Sequence, residues 1–182
     1  MKEEAAQRGF TLLEALVVVA IIGIAAALAV VQVNKAWQRS RLESAAGDIQ
    51  SFLQSAYTYM VNSRAPVFVV MTLSGSSPTT MAVWQNADGS GVQYGSTYTF
   101  PDFLSVTPSN WPNGTAASTK ELECDGAGRT LDPSVSPPVM VVQPPTLAIT
   151  HVDMVAGSLR PNTVYTLTLA GLWKPQLVKA VS

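Results

Sequence analysis

From Ala15 to Val31 the chain runs for a membrane's width without a charged side chain, and one acid, Glu14, stands directly before that run. About 24 residues, Phe10 to Val33, therefore read as one helix, and at about 1.5 Å per residue it crosses the roughly 30 Å hydrocarbon core of a bilayer with some tilt. A secretory signal would have a shorter apolar stretch, about 7 to 15 residues, with a small-residue cut site behind it. Val30-Val31-Gln32-Val33-Asn34 offers no such site. The segment is expected to stay in the mature protein, and the obvious small residue lies ahead of it, at Gly9.

A carboxylate in an apolar helix is costly, less so toward the ends, so Glu14 needs a reason. Two remain open on position alone: it snorkels to the nearby interface, or it pairs with a positive group inside or beside lipid. Gly23 and Ala27 are spaced four apart on one helix face, as are Ala25 and Ala29. Such pairs either permit close helix packing in lipid or simply fill a spanning helix. Charge does not set the orientation. Lys2 and Arg8 flank one end and Lys35, Arg39 and Arg41 the other, so the positive-inside count is indecisive.

Gly9-Phe10-Thr11-Leu12-Leu13-Glu14 and the helix behind it resemble the type IV prepilins and the type II secretion pseudopilins. The resemblance implies a cytosolic leader, residues 1–9, cut between Gly9 and Phe10 by a prepilin peptidase, with Phe10 becoming an N-methylated amino terminus. It implies that Glu14 pairs with the Phe10 ammonium of a neighbouring subunit during assembly. It also supplies the orientation, with residues after about 34 outside the inner membrane.

Beyond the membrane the helix is expected to continue. Ile49, Phe52, Leu53, Ala56 and Met60 form an apolar stripe of helical period, and no proline precedes Pro66, which pushes Ala65 out of the α region. Residues 10–33 thus form a membrane half and 34–63 an amphipathic half. Trp37 suits a membrane interface. Residues 64–182 are β-rich, with strands expected at 67–73, 80–85, 92–100, 103–106, 139–143, 147–154, 164–169 and 172–178, a turn over 74–80, and a polar loop over 108–119. Together these give an α+β protein: a long N-terminal helix on an antiparallel β domain. Cys124-Asp125-Gly126-Ala127-Gly128-Arg129-Thr130 and Thr166-Leu167-Thr168-Leu169-Ala170-Gly171-Leu172 resemble the late glycine turn and the final hairpin of the H-type minor pseudopilins and FimT-like minor pilins. That resemblance implies a two-sheet β-sandwich leaning on the helix.

Catalytic and metal chemistry finds little footing. His151 and Asp153 share the spacing of a base and its orienting acid on what reads as a solvated strand face, yet no G-x-S-x-G elbow and no phosphate-cradling P-loop occurs. Cys124 is the single cysteine, which excludes an internal disulfide, and neither it nor His151 has zinc-ligand spacing. Asp88, Asp125 and Asp132 sit in ordinary turns rather than a calcium loop. No metal, cofactor or catalytic residue is expected. With net charge −1 and an isoelectric point near 5.7 the chain has no general attraction for polyanions. DNA contact would need a local group, and Arg129, Arg160, Trp173, Lys174 and Lys179 are the candidates.

The resemblance implies a non-enzymatic, single-pass inner-membrane subunit with a periplasmic C-terminal domain, assembled into a periplasmic or surface filament. The expected machine is a type II secretion pseudopilus or a type IV pilus, with an H-type minor pseudopilin as the first assignment; a DNA-binding minor pilin for natural transformation or type IV pilus biogenesis is the alternative. The implied partners are the prepilin peptidase, other major and minor pilins or pseudopilins, an assembly platform with a separate ATPase, membrane lipid, and exported protein or DNA.

Overall fold

The structure, a computed structural model, describes residues 12–113, 118–127, 129–152, 163–170 and 174–181. The chain divides into two units, residues 1–38 and 39–182.

One helix, α1 (Leu12–Ser63), carries the described part of the first unit and the beginning of the second. In the first unit its apolar side chains are exposed: Leu12, Leu16, Ile21, Leu28 and Val33 have no cover within the chain. Its most apolar window has a mean hydropathy of 2.9, and none of it is buried. A helix apolar all round is stable only in lipid or among other apolar helices, because each exposed Leu or Ile forgoes about 1.5–3 kcal/mol of burial.

In the second unit the stripe expected from periodicity is buried. Ile49, Leu53, Ala56 and Met60 are sealed, Leu42, Ala45 and Ala46 extend the stripe about two turns earlier, and Phe52 packs at its margin. The helix ends at Ser63, and Arg64 takes a left-handed conformation (φ 52°) while its N–H still bonds Met60 O at 3.0 Å.

Ten strands follow: β1 (Val67–Ser74), β2 (Ser77–Trp84), β3 (Gln93–Thr99), β4 (Leu104–Ser109), β5 (Thr119–Cys124), β6 (Thr130–Asp132), β7 (Val139–Met140), β8 (Thr146–His151), β9 (Thr163–Ala170) and β10 (Lys174–Val181). They form two antiparallel sheets ordered β3-β2-β1-β5-β6-β7 and β10-β9-β8-β4. The inward positions of both sheets join the helix stripe in one core: Val67, Val69 and Met71 of β1, Met81 and Val83 of β2, Leu122 and Cys124 of β5, Leu147 and Ile149 of β8, Leu167 and Leu169 of β9. The α+β architecture of a long helix with antiparallel sheets is thus present. Prolines respect the ladder. Pro108 and Pro175 lie in the edge strands β4 and β10, and Pro78 lies beside the bulge where β1 and β2 slip register.

Several expected boundaries move. The turn expected over 74–80 shrinks to Gly75 and Ser76, because Gly75 adopts a positive φ of 65° and closes a two-residue hairpin. Its polar flanks extend the strands instead, for a hairpin tip outside the core needs no apolar side chains. The loop expected over 108–119 is shorter, and the strand that follows it was absent from the expectation. β5 reads Thr-Lys-Glu-Leu-Glu-Cys, too charged to look like a strand, yet it is central, between β1 and β6. Leu122 and Cys124 point to the core, and alternation sends Glu121 and Glu123 to the other face. The expected strand residues 153–154 and 172–173 lie outside the described residues.

Candidate functional site

Two regions bear on function: the apolar helix of the first unit and the surface of the β domain. Glu14 sits in the first described turn of α1. Gly23 and Ala27 are both exposed, and a Cβ added at Gly23 would meet nothing within 4 Å. Among the described residues the small-residue face therefore has no partner, and the room at Gly23 is available to another helix. Trp37 is likewise exposed near the end of the apolar stretch. Gly9 and Phe10 lie outside the described residues.

The residues suggested for nucleic acid do not form one described group. Arg129 is bound to Asp125: its Nε and Nη2 donate to Oδ2 at 2.7 and 2.6 Å, and its backbone N–H donates to Oδ1 at 2.8 Å. Ala127 N–H adds a further bond to Oδ1 at 3.0 Å. Partial burial works against the charged Asp125 carboxylate, but these hydrogen bonds and the Arg129 charge outweigh it and hold its pKa below the usual range. The pair closes the glycine turn between β5 and β6. Lys179 is on the edge strand β10 of the other sheet, with its ammonium 5.7 Å from the Tyr165 ring centroid. Arg160 and Trp173 lie outside the described residues, as does the side chain of Lys174.

His151 departs from the expectation of a solvated strand face. It is 4% exposed and stacks on Phe103, ring centroids 5.5 Å apart, while the Arg41 guanidinium caps the other aromatic contact 4.3 Å from the Phe103 centroid. The histidine is a buried packing residue beside Phe103; Asp153 lies outside the described residues. Cys124 is fully buried, and burial, with Glu123 and Asp125 adding repulsion, pushes its thiol well up. It stays protonated and unreactive at neutral pH. Among the described residues no three His, Cys, Asp or Glu side chains gather as a metal site.

Two features escaped sequence reading. Glu121 and Glu123 are largely buried on the outer face of β5, and burial, with Asp125 adding to it, raises the Glu123 pKa. A cavity of about 360 Å³ opens beside the edge strand β7, walled by Trp111, Pro112, Asp132, Met140, Val142 and Gln143. Only pairing reveals either one: the cavity joins residues about thirty positions apart in sequence.

Residues 5–30 match the prokaryotic N-terminal methylation motif. No curated protein matches the chain in sequence. Two crystal structures of the type IV minor pilin FimU from Pseudomonas aeruginosa share the fold. One aligns with 75% of this chain and 91% of its own at 17% identity and a TM-score of 0.50; the other with 78% and 90% at 16% identity and a TM-score of 0.52.

Proposed function

Because this chain is pilin-like in both its N-terminal motif and its fold, we propose that it is a structural minor subunit of a type IV pilus-type filament. The observation that carries the reading is the methylation motif over residues 5–30 at the head of a helix whose apolar face has no cover within the chain. In this reading a prepilin peptidase removes residues 1–9 and Phe10 becomes the methylated terminus. The apolar helix is held in the inner membrane before assembly and in the filament core after it, and burial on both sides explains why so many exposed Leu, Val and Ile side chains are tolerated. Glu14 then has a definite task. Transfer of its carboxylate and a neighbour's Phe10 ammonium out of water is offset only if the two meet, so the pair fixes the axial register between subunits. Gly23 and Ala27 let adjacent helices approach. The β domain, with its own core, faces outward and meets other minor subunits.

The type II secretion pseudopilus is the second reading, since the glycine turn Cys124–Thr130 resembles the H-type pseudopilins as much as the FimT-like minor pilins. Direct DNA capture has less support, since Arg129 is already committed to Asp125 and Lys179 belongs to the other sheet.

Mass spectrometry of the mature chain tests the reading: it should begin at Phe10 and carry one N-terminal methyl group, and a chain retaining Met1 to Gly9 refutes it. Glu14→Ala should be cleaved normally yet fail to enter filaments. Deleting the subunit while measuring surface pili, exoprotein release and DNA uptake in parallel separates the machines: loss of pili alone supports the pilus, and loss of exoprotein release alone transfers the subunit to the secretion machine.

A further inference from the structure

We propose that the cavity beside β7 is a docking site for an extended peptide segment of another protein, one that presents an apolar side chain next to a cationic one. This does not rest on the filament reading. The cavity is assembled by two strapped segments. Residues 110–113 are tied to β5, with Glu121 N–H donating to Pro112 O at 3.3 Å and Lys120 Nζ to Asn113 Oδ1 at 2.7 Å. On the opposite side β7 is tied to β6, with Leu131 facing Met140 and Val141 N–H donating to Thr130 O at 3.1 Å.

Three properties define the occupant. The first is the free edge. β7 ends its sheet, and because Val141 and Thr130 form a hydrogen-bonded pair, the alternation of an antiparallel ladder turns the N–H and C=O of Met140 away from β6. An extended segment can therefore add there as the next strand. The second is the lining. Val139 and Met140 are about half exposed and Val142 is 96% exposed, an apolar rim around about 360 Å³, room for one large apolar side chain. Trp111 in the wall is 5% exposed, and among the described residues its indole Nε1 has no hydrogen-bond partner. The third is charge. Asp132 is the one ionisable residue in the lining, and its carboxylate already accepts from Ser134 N–H and Ser134 Oγ at 2.9 and 2.5 Å, which fixes it at the mouth. That selects a Lys or Arg beside the apolar side chain of the segment.

The full chain in nanodiscs of zwitterionic lipid should be titrated against three fluorescein-labelled peptides: Val-Lys-Phe-Lys-Val, Val-Glu-Phe-Glu-Val, and the first with its Phe amide N-methylated to remove a strand donor. Empty nanodiscs give the background. The lysine peptide should bind saturably, about tenfold more tightly than either of the others, and should shift the indole N–H resonance that is missing from Trp111→Phe. Val142→Lys, at a position exposed enough to leave folding untouched, should weaken binding about tenfold, and Asp132→Asn should weaken the lysine peptide while leaving an uncharged Val-Ser-Phe-Ser-Val peptide unchanged. Equal binding of all three peptides, no saturable binding, or full affinity in Val142→Lys overturns the proposal.

Discussion

Leu53 and Leu16 occupy the same helix, and the same substitution at the two should have opposite signatures. Leu53 is completely buried in the core shared by α1 and both sheets, whereas Leu16 is 64% exposed. Leu53→Ala removes about three methylene equivalents, worth about 0.8 kcal/mol each in lost transfer energy. The cavity left behind adds to this, for a total of about 3 kcal/mol. Leu53 shares its core with residues that are themselves sealed, Ile49, Ala56 and Met60 of the helix and Met71, Met81 and Leu122 of the sheet, which leaves little scope for collapse into the gap. For a unit of this size each kcal/mol is worth about 3–4 °C, so the melting temperature should fall by about 10 °C. Leu16→Ala should leave that transition within about 1 °C, because the second unit gains nothing from Leu16. Thermal melts of the full chain in detergent, followed by near-ultraviolet circular dichroism of the β domain, measure both. If Leu53→Ala costs under about 1 kcal/mol, or if the two variants melt alike, the division of α1 into a core half and a half reserved for other partners is wrong.

Glu123→Gln should raise stability at neutral pH, because the folded-state pKa of Glu123 is raised by burial and by Asp125, so ionisation opposes folding. The sign follows: protonated Glu123 favours the fold below its unfolded pKa, that advantage is lost as pH rises through the folded value, and urea melts between pH 4 and 8 should converge for wild type and variant only at the acidic end. Gly95→Ala should destabilise by about 1–2 kcal/mol, since Gly95 has a φ of 74° and its new Cβ would lie 3.0 Å from the Tyr59 hydroxyl; chemical denaturation reads the change. Cys124 should resist iodoacetamide at pH 8 in the folded chain and react at least about a hundredfold faster in urea, because only global opening exposes a sealed and protonated thiol.

Periodicity alone located much of this protein. The charge-free run behind Glu14 specified a membrane-length helix, since composition decides solvent preference before any fold exists, and the 3.6-residue stripe from Ile49 to Met60 specified which face of its continuation is buried. Glycine and β-branched runs located the hairpins for the same local reason: turn conformation and strand preference act over a few residues. What stayed hidden depended on neighbours distant in sequence. Thr119–Cys124 carries no strand expectation in the sequence and is a central strand because β1 and β6 supply its ladder and the core accepts Leu122 and Cys124. His151 read as solvated and is packed, because Phe103, just ahead of β4, stacks on it and Arg41 of the helix lies over the Phe103 ring. Arg129 read as a free cation and is held by a turn four residues long. The methylation motif and the apolar helix behind it are local chemistry that one segment carries entire. The cavity at β7 and the commitment of each charge are non-local, and only the register of the sheets decided them.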